Sequence, residues 1–210
     1  FIPIYSRLLD EDRPAAAGRF AGAIFGLLLA AAGGVALLGV VFAEPIVTVL
    51  APGFLDDAAR VAAGDIPFNR FDLAVRAVRL IFPMAGVLVL SAWALGVLNS
   101  HRQFFVPYVA PTLWNAAIIA TLFGGGYVLA GTPGAPDALS SDALTQLLLV
   151  ACVGAFGGGL LQFGVQLPFV VREMEGGSLS LSARVEGVRE ALSAFGPVVA
   201  SRGVAPLSAY

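Results

Sequence analysis

FAGAIFGLLLAAAGGVALLGVVFA, from Phe20 to Ala43, contains no charged side chain, no polar side chain and no proline. A helix rises about 1.5 Å per residue, so about 20 such residues cross the roughly 30 Å of hydrocarbon in a bilayer. Further charge-free runs extend from Leu80 to Ser100, Gln103 to Pro136 and Ala143 to Val171, and the segment Ala191–Tyr210 is apolar apart from Arg202. Five crossings follow. A 210-residue globule has too little interior to hide this many long apolar helices at once. Hydrophobic residues make up 58% of the chain and charged residues 12%, the latter about half the usual share for a soluble domain. The sequence therefore predicts an all-α polytopic transmembrane helix bundle, with spans at about 20–43, 80–100, 108–130 and 143–171 and a further helix starting near 191.

Composition also removes chemistry. The chain has no lysine, which excludes a Walker phosphate loop, a Schiff-base lysine and a lysine general base. Cys152 is the only cysteine and lies in an apolar run, where it reads as a small buried hydrophobe. His101 is the only histidine, so no His-pair metal site can form, and neither GxSxG nor HExxH occurs. A net charge of −2 offers no basic face for nucleic acid. No cofactor, metal or enzymatic activity is expected.

The joints are marked by turn chemistry. Phe1–Tyr5 reads as the end of an earlier span, without the basic region and cleavage site of a signal peptide, so the chain reads as an excerpt of a longer membrane protein. Ser6–Arg19 is predicted as a polar loop, with Pro14 opening the following helix. Ala51-Pro52-Gly53-Phe54 fits a type II turn, with proline second and glycine third. Asp56–Arg79 is amphipathic and is placed at the membrane surface, with Asp72 and Arg76 one helical turn apart. Asn99–Arg102, Gly131–Asp142 and Arg172–Glu190 are further connections. The loops that alternate onto the first side hold Arg7, Arg13, Arg19, Arg102, Arg172, Arg184 and Arg189; the other side holds Arg60, Arg70, Arg76 and Arg79. Seven against four favours the first side as cytoplasmic.

Two sets of residues stand out within the spans. Gly18, Gly22 and Gly26 repeat every four residues and predict a face for close approach of another helix, a device repeated at Gly154 and Gly158. Ser91, Asn99, Asn115, Gln162 and Gln166 are polar groups inside apolar helices, serving either as interhelical glue or as the lining of a hydrophilic cavity. Pro168 can bend the helix that carries Gln162 and Gln166, and Pro197 and Pro206 flank Arg202 in the same way. If the last helix starts near Glu190, Arg202 lies about a dozen residues in, roughly 18 Å along the axis and just past the bilayer midplane. A charge there is disfavoured by about 2.5–3.5 kcal/mol on insertion scales, so it is expected either to face a polar cavity or to be satisfied structurally by carbonyls freed at the prolines.

Several blocks carry a resemblance. Phe1–Ser6 (FIPIYS), Ala51–Phe54 (APGF), Leu98–Pro107 (LNSHRQFFVP) and Ala110–Asn115 (APTLWN) are similar, in order and spacing, to signatures of the MurJ (MviN) family. So are Gly157–Gln162 (GGGLLQ) with Gln166-Leu167-Pro168, and Gly196-Pro197 followed by Arg202-Gly203-Val204; Pro206 departs from the polar residue that the family pattern carries there. The resemblance implies a lipid II flippase of the multidrug/oligosaccharidyl-lipid/polysaccharide (MOP) exporter superfamily, MATE-like, with fourteen helices: two six-helix lobes around a central cationic cavity and two extra helices forming a lipid-facing groove. On that map the chain runs from the end of the second helix into the seventh: 1–190 is most of the N-terminal lobe and 191–210 opens the C-terminal lobe. The implied partner is lipid II, an undecaprenyl-pyrophosphate-linked disaccharide-pentapeptide, moved across the bacterial inner membrane by alternating access for cell wall synthesis. Membrane potential or a coupling ion would supply the energy, and membrane lipids would surround the bundle. The family's essential arginines fall largely on helices outside this chain. Rival readings are a MOP flippase for another polyprenyl-linked oligosaccharide, an integral-membrane enzyme acting on polyprenyl phosphates, and a scaffold bundle without transport.

Overall fold

A computed structural model describes residues 1–130, 140–177 and 180–195. Its elements are α1 (Ile2–Asp10), α2 (Pro14–Val41), α3 (Ala43–Leu50), a 3-10 turn (Pro52–Phe54), α4 (Asp57–Ala62), α5 (Arg70–Ser100), α6 (Phe105–Ala130) and α7 (Ser141–Glu173), with residues 188–195 also helical. No strand occurs among the described residues. Four helices, α2, α5, α6 and α7, are long and apolar enough to cross a membrane. The protein is a polytopic, all-α membrane bundle.

The helices extend beyond their charge-free runs, because polar residues at a membrane surface continue a helix as readily as apolar ones. Pro14 does open α2, yet the predicted loop before it shrinks to Glu11–Arg13, since Ser6–Asp10 belong to α1 and Ala15–Arg19 to α2. Asp12 adopts φ 56° at this tight joint. The amphipathic segment also resolves differently: only Asp57–Ala62 is a separate surface helix, and Arg70–Arg79 forms the first turns of α5. The Asp72–Arg76 pair forms at 2.8 Å. Gly53 has no positive φ, so Pro52–Phe54 closes as a 3-10 turn and not as the expected type II turn.

The four long helices pack in a row: α2 on α5, α5 on α7, and α7 on α6. Small residues line the α2–α5 and α6–α7 contacts. Ala17, Ala21 and Gly22 of α2 are buried near Ala94 and Val97 of α5, and the Trp93 indole N–H donates across to the Ala21 carbonyl at 3.2 Å. Between α6 and α7, a methyl added to Gly158 would lie 2.8 Å from Trp114 Cδ1 and 2.9 Å from Ala117 Cβ; one added to Gly154 would strike Thr121. Trp114 repeats the device of Trp93 by donating to the Ala155 carbonyl at 2.9 Å. The glycine face on α2 has another partner than the expected helix. Gly18 lies under the backbone of Glu175 and Gly26 under that of Ser180, so the segment after α7 folds back along α2. Gly22, between them, lines an apolar cavity of about 340 Å³ with Phe25, Trp93, Phe163 and Leu167.

The main core lies towards the end of the row where α1 meets α2, α5 and α7, around Tyr5, Leu8, Phe20, Trp93, Val97, Leu98 and Val170. The connections at this end are also tied by charge. Arg7 pairs with Glu190 at 2.9 Å and Arg13 with Glu186 at 2.6 Å, and these guanidiniums, by hydrogen bond first and by charge second, hold both carboxyls below their usual range. All four groups are roughly half-exposed, so each pair contributes little to stability.

The opposite end is fixed by a clamp. The Asp57 carboxylate is fully buried and accepts from the Arg70 backbone N–H at 3.0 Å, from Nε at 2.7 Å and from Nη2 at 2.6 Å. Arg70 also covers the Phe54 ring at 4.6 Å, and Asn69 caps α5 by accepting from the Asp72 N–H. The Arg70 hydrogen bonds hold the Asp57 carboxyl below its ordinary range despite burial. A depressed folded pKa contributes stability that is present above the unfolded value, about 3.9, and is lost as pH falls through the folded value. Acidification below about pH 3.9 is therefore expected to lower protection against hydrogen exchange at the start of α5, corrected for the intrinsic effect of pH, and Asp57→Asn to show the lowered protection already at neutral pH. Equal protection of this segment in the wild type and Asp57→Asn at neutral pH would contradict the clamp.

Candidate functional site

The contact between α5 and α7 carries a polar seam through apolar surroundings. On α7, Gln162, Gln166 and Glu173 recur at spacings that, at about 100° per residue, place them on one narrow stripe. Ser91 of α5 meets that stripe. Its Oγ accepts from Gln162 Nε2 at 2.9 Å and from Gln166 Nε2 at 2.6 Å, and Gln166 Nε2 also reaches the Gln162 carbonyl at 3.1 Å. Ser91 is 2% exposed and Gln166 1%. Turning either amide over lets the Ser91 hydroxyl donate instead, so this hydroxyl is the shared partner in both arrangements. Gln162 Oε1 and Gln166 Oε1 are buried without a hydrogen-bond partner among the described residues.

Towards the α1 end, the seam continues into charged groups. His101, capping α5, receives the Tyr5 hydroxyl of α1 at Nε2, 2.9 Å away, and its Nδ1 lies 3.1 Å from Glu173 Oε2. The Gln103 amide N–H donates to the other oxygen of the same carboxylate. Arg102 makes the turn between α5 and α6 with φ 58°, a left-handed conformation that points the chain sharply back into α6.

The candidates read from sequence thus separate. Ser91, Gln162 and Gln166 come together. Asn99 is half-buried near the end of α5, with Oδ1 unpaired among the described residues. Asn115 lies on an exposed part of α6, away from the seam. Arg202 lies outside the described residues. The Tyr5–His101–Glu173–Gln103 network was invisible in the sequence because its members are far apart, Tyr5 and His101 by 96 positions. The signal that could have found it is a histidine and a glutamate each at the polar end of a long apolar run, on helix ends that alternate onto the same side.

A row of membrane-spanning helices with a buried amide–hydroxyl seam defines the class: a multi-pass integral membrane protein with polar groups held inside the bilayer. Among known proteins, the profile of the family described as "Lipid II flippase MurJ" matches residues 1–210. The chain belongs to that family. It is 31% identical over 79% of its length to a probable lipid II flippase MurJ of Rhizobium tropici, and 30% identical over 59% to one of Bdellovibrio bacteriovorus. A lipid II flippase MurJ of Burkholderia cenocepacia is 28% identical over 99% of the chain. The aligned stretches cover 27%, 22% and 36% of those relatives, so the chain spans well under half of their length. No solved structure matches.

Proposed function

We propose that the chain is the greater part of the N-terminal lobe of a flippase that carries lipid II across the bacterial cytoplasmic membrane by alternating access, with residues from about 191 opening the second lobe. The observation that carries this reading is the family match along the whole chain. The seam supports it, since transport of a charged headgroup needs polar side chains placed within the hydrocarbon layer. The bundle acts as a transporter and not as an enzyme, and its energy comes from the membrane potential or an ion gradient. Supplying the full-length protein to a bacterium depleted of its own lipid II flippase tests the proposal: growth and cell shape should be restored, and lysis despite normal membrane abundance would overturn it.

In this arrangement the α1–α2 joint, the α5–α6 turn and the segment after α7 face the cytoplasm, as the arginine distribution favours. Cysteine placed at Asp142, in a Cys152→Ala background, is then expected to react with an impermeant thiol reagent in intact cells, and cysteine at Ser182 only after lysis. The reverse pattern would invert the orientation.

Arg202 is proposed to face the central cavity and to meet the pyrophosphate, which suits a guanidinium because its planar fork binds oxyanions in a bidentate way and stays charged. Arg202→Ala is expected to reduce flipping at near-normal abundance, with Arg202→Lys restoring it only in part. Normal growth with Arg202→Ala as the only copy would refute a transport role, and loss of the protein from the membrane would mark a structural one.

A further inference from the structure

The lone histidine of the chain has no part in the proposed transport path, yet it is among the best-connected polar side chains in the bundle. Three segments distant in sequence converge on it: α1 through Tyr5, the end of α5 that bears it, and the end of α7 through Glu173. Its side chain is 16% exposed and that of Glu173 29%, so water reaches both while screening their interaction only partly. Tyr5 is buried.

We propose that His101 and Glu173, with Tyr5 of α1 on the other ring nitrogen, form a proton-binding site that latches the end of α5 to the end of α7. With the imidazole neutral, Nδ1–H donates to Glu173 and Nε2 accepts the Tyr5 O–H. Proton uptake at Nε2 turns that nitrogen into a donor to Tyr5 Oη, takes the acceptor from the phenol O–H and places a full positive charge beside the Glu173 carboxylate. The hydrogen bonds persist in both states; the ion pair exists in one. The latch is therefore tight in the protonated state and slack in the neutral one.

The surroundings leave this pair as the determinant. Tyr5 faces His101 from α1 and Glu173 faces it from α7, and Gln103, which shares the carboxylate, is neutral. Arg102 and Arg172 adjoin the pair in sequence but are exposed and form no ion pair among the described residues. Arg7 and Arg13 are engaged by Glu190, Glu186 and Glu11. The same pair joins the ends of the two helices that carry the polar seam, so a proton bound here bears on how α5 and α7 move against each other.

Hydrogen exchange of the full-length protein in lipid nanodiscs, corrected for the intrinsic effect of pH, tests the latch. Amides of the α5–α6 turn and of the end of α7 are expected to be roughly fivefold better protected at about pH 5.5 than at about pH 8, with the middle of α2 unchanged. Glu173→Gln keeps an acceptor for Nδ1–H but removes the charge, so the difference should vanish; it should also vanish in His101→Gln. Tyr5→Phe should lower protection of α1 at both pH values and keep the difference at the α5–α6 turn. A wild-type protein without the pH difference would overturn the proposal, and so would a difference that survives in Glu173→Gln or His101→Gln. Should a variant fail to insert, a stepwise wild-type titration decides: a single-proton transition supports the site and a flat profile overturns it.

Discussion

Ser91→Ala is expected to destabilise the bundle by about 1–3 kcal/mol, more than removal of one hydroxyl costs at an ordinary site. The reason is the number of groups that depend on it. Gln162 and Gln166 both direct their amide N–H groups at this one oxygen, and alanine leaves Gln162 Nε2 without an acceptor and Gln166 Nε2 with only the Gln162 carbonyl. A buried donor without an acceptor retains its full desolvation penalty, whereas removing donors and acceptor together is close to neutral. The triple variant Ser91→Ala, Gln162→Leu, Gln166→Leu is therefore expected to regain most of the lost thermal stability. If the seam serves transport, the triple variant should still fail to support growth at normal abundance. Full growth would assign these residues to helix association alone, where such contacts average about 0.6 kcal/mol.

The second large effect concerns the α6–α7 contact. Gly158→Leu must place four carbons where Trp114 and Ala117 already stand within 3 Å of a first one, so the helices have to part. Overpacking of this kind costs typically about 1–3 kcal/mol, and here it also pulls Trp114 from the Ala155 carbonyl. Gly157→Leu is the control, because nothing lies near the added carbon at that position. Thermal unfolding in detergent should separate the two variants by several degrees, with Gly157→Leu close to the wild type. Equal stability of the two would mean that α6 and α7 do not approach as described.

The spans were legible in the sequence because one property, the absence of charge over about 20 residues, determines whether a helix can reside in hydrocarbon. That criterion locates the lipid-immersed part of a helix and is silent about where the helix stops. Arg70–Arg79 illustrates the gap: its charges bar it from the bilayer centre but not from α5. Gly18 and Gly26 were recognisable as close-packing positions from their spacing; spacing on one helix cannot say that the segment holding Glu175 and Ser180 fills the groove. The union of Ser91 with Gln162 and Gln166 needed the helix order in space, which apolar patterning leaves undetermined. His101 shows the same limit from the other side. Counting metal ligands eliminated it, while its partners Tyr5 and Glu173 lie on helices that only the fold brings together.

The proposed function is that the full-length protein delivers lipid II to the outer face of the membrane. In cells where it is the only flippase, the fraction of lipid II that an externally added, impermeant lipid II-cleaving enzyme can reach should be measured before and after depletion. This fraction is expected to collapse while total lipid II accumulates behind it. An accessible fraction that stays constant through depletion would contradict the proposed function.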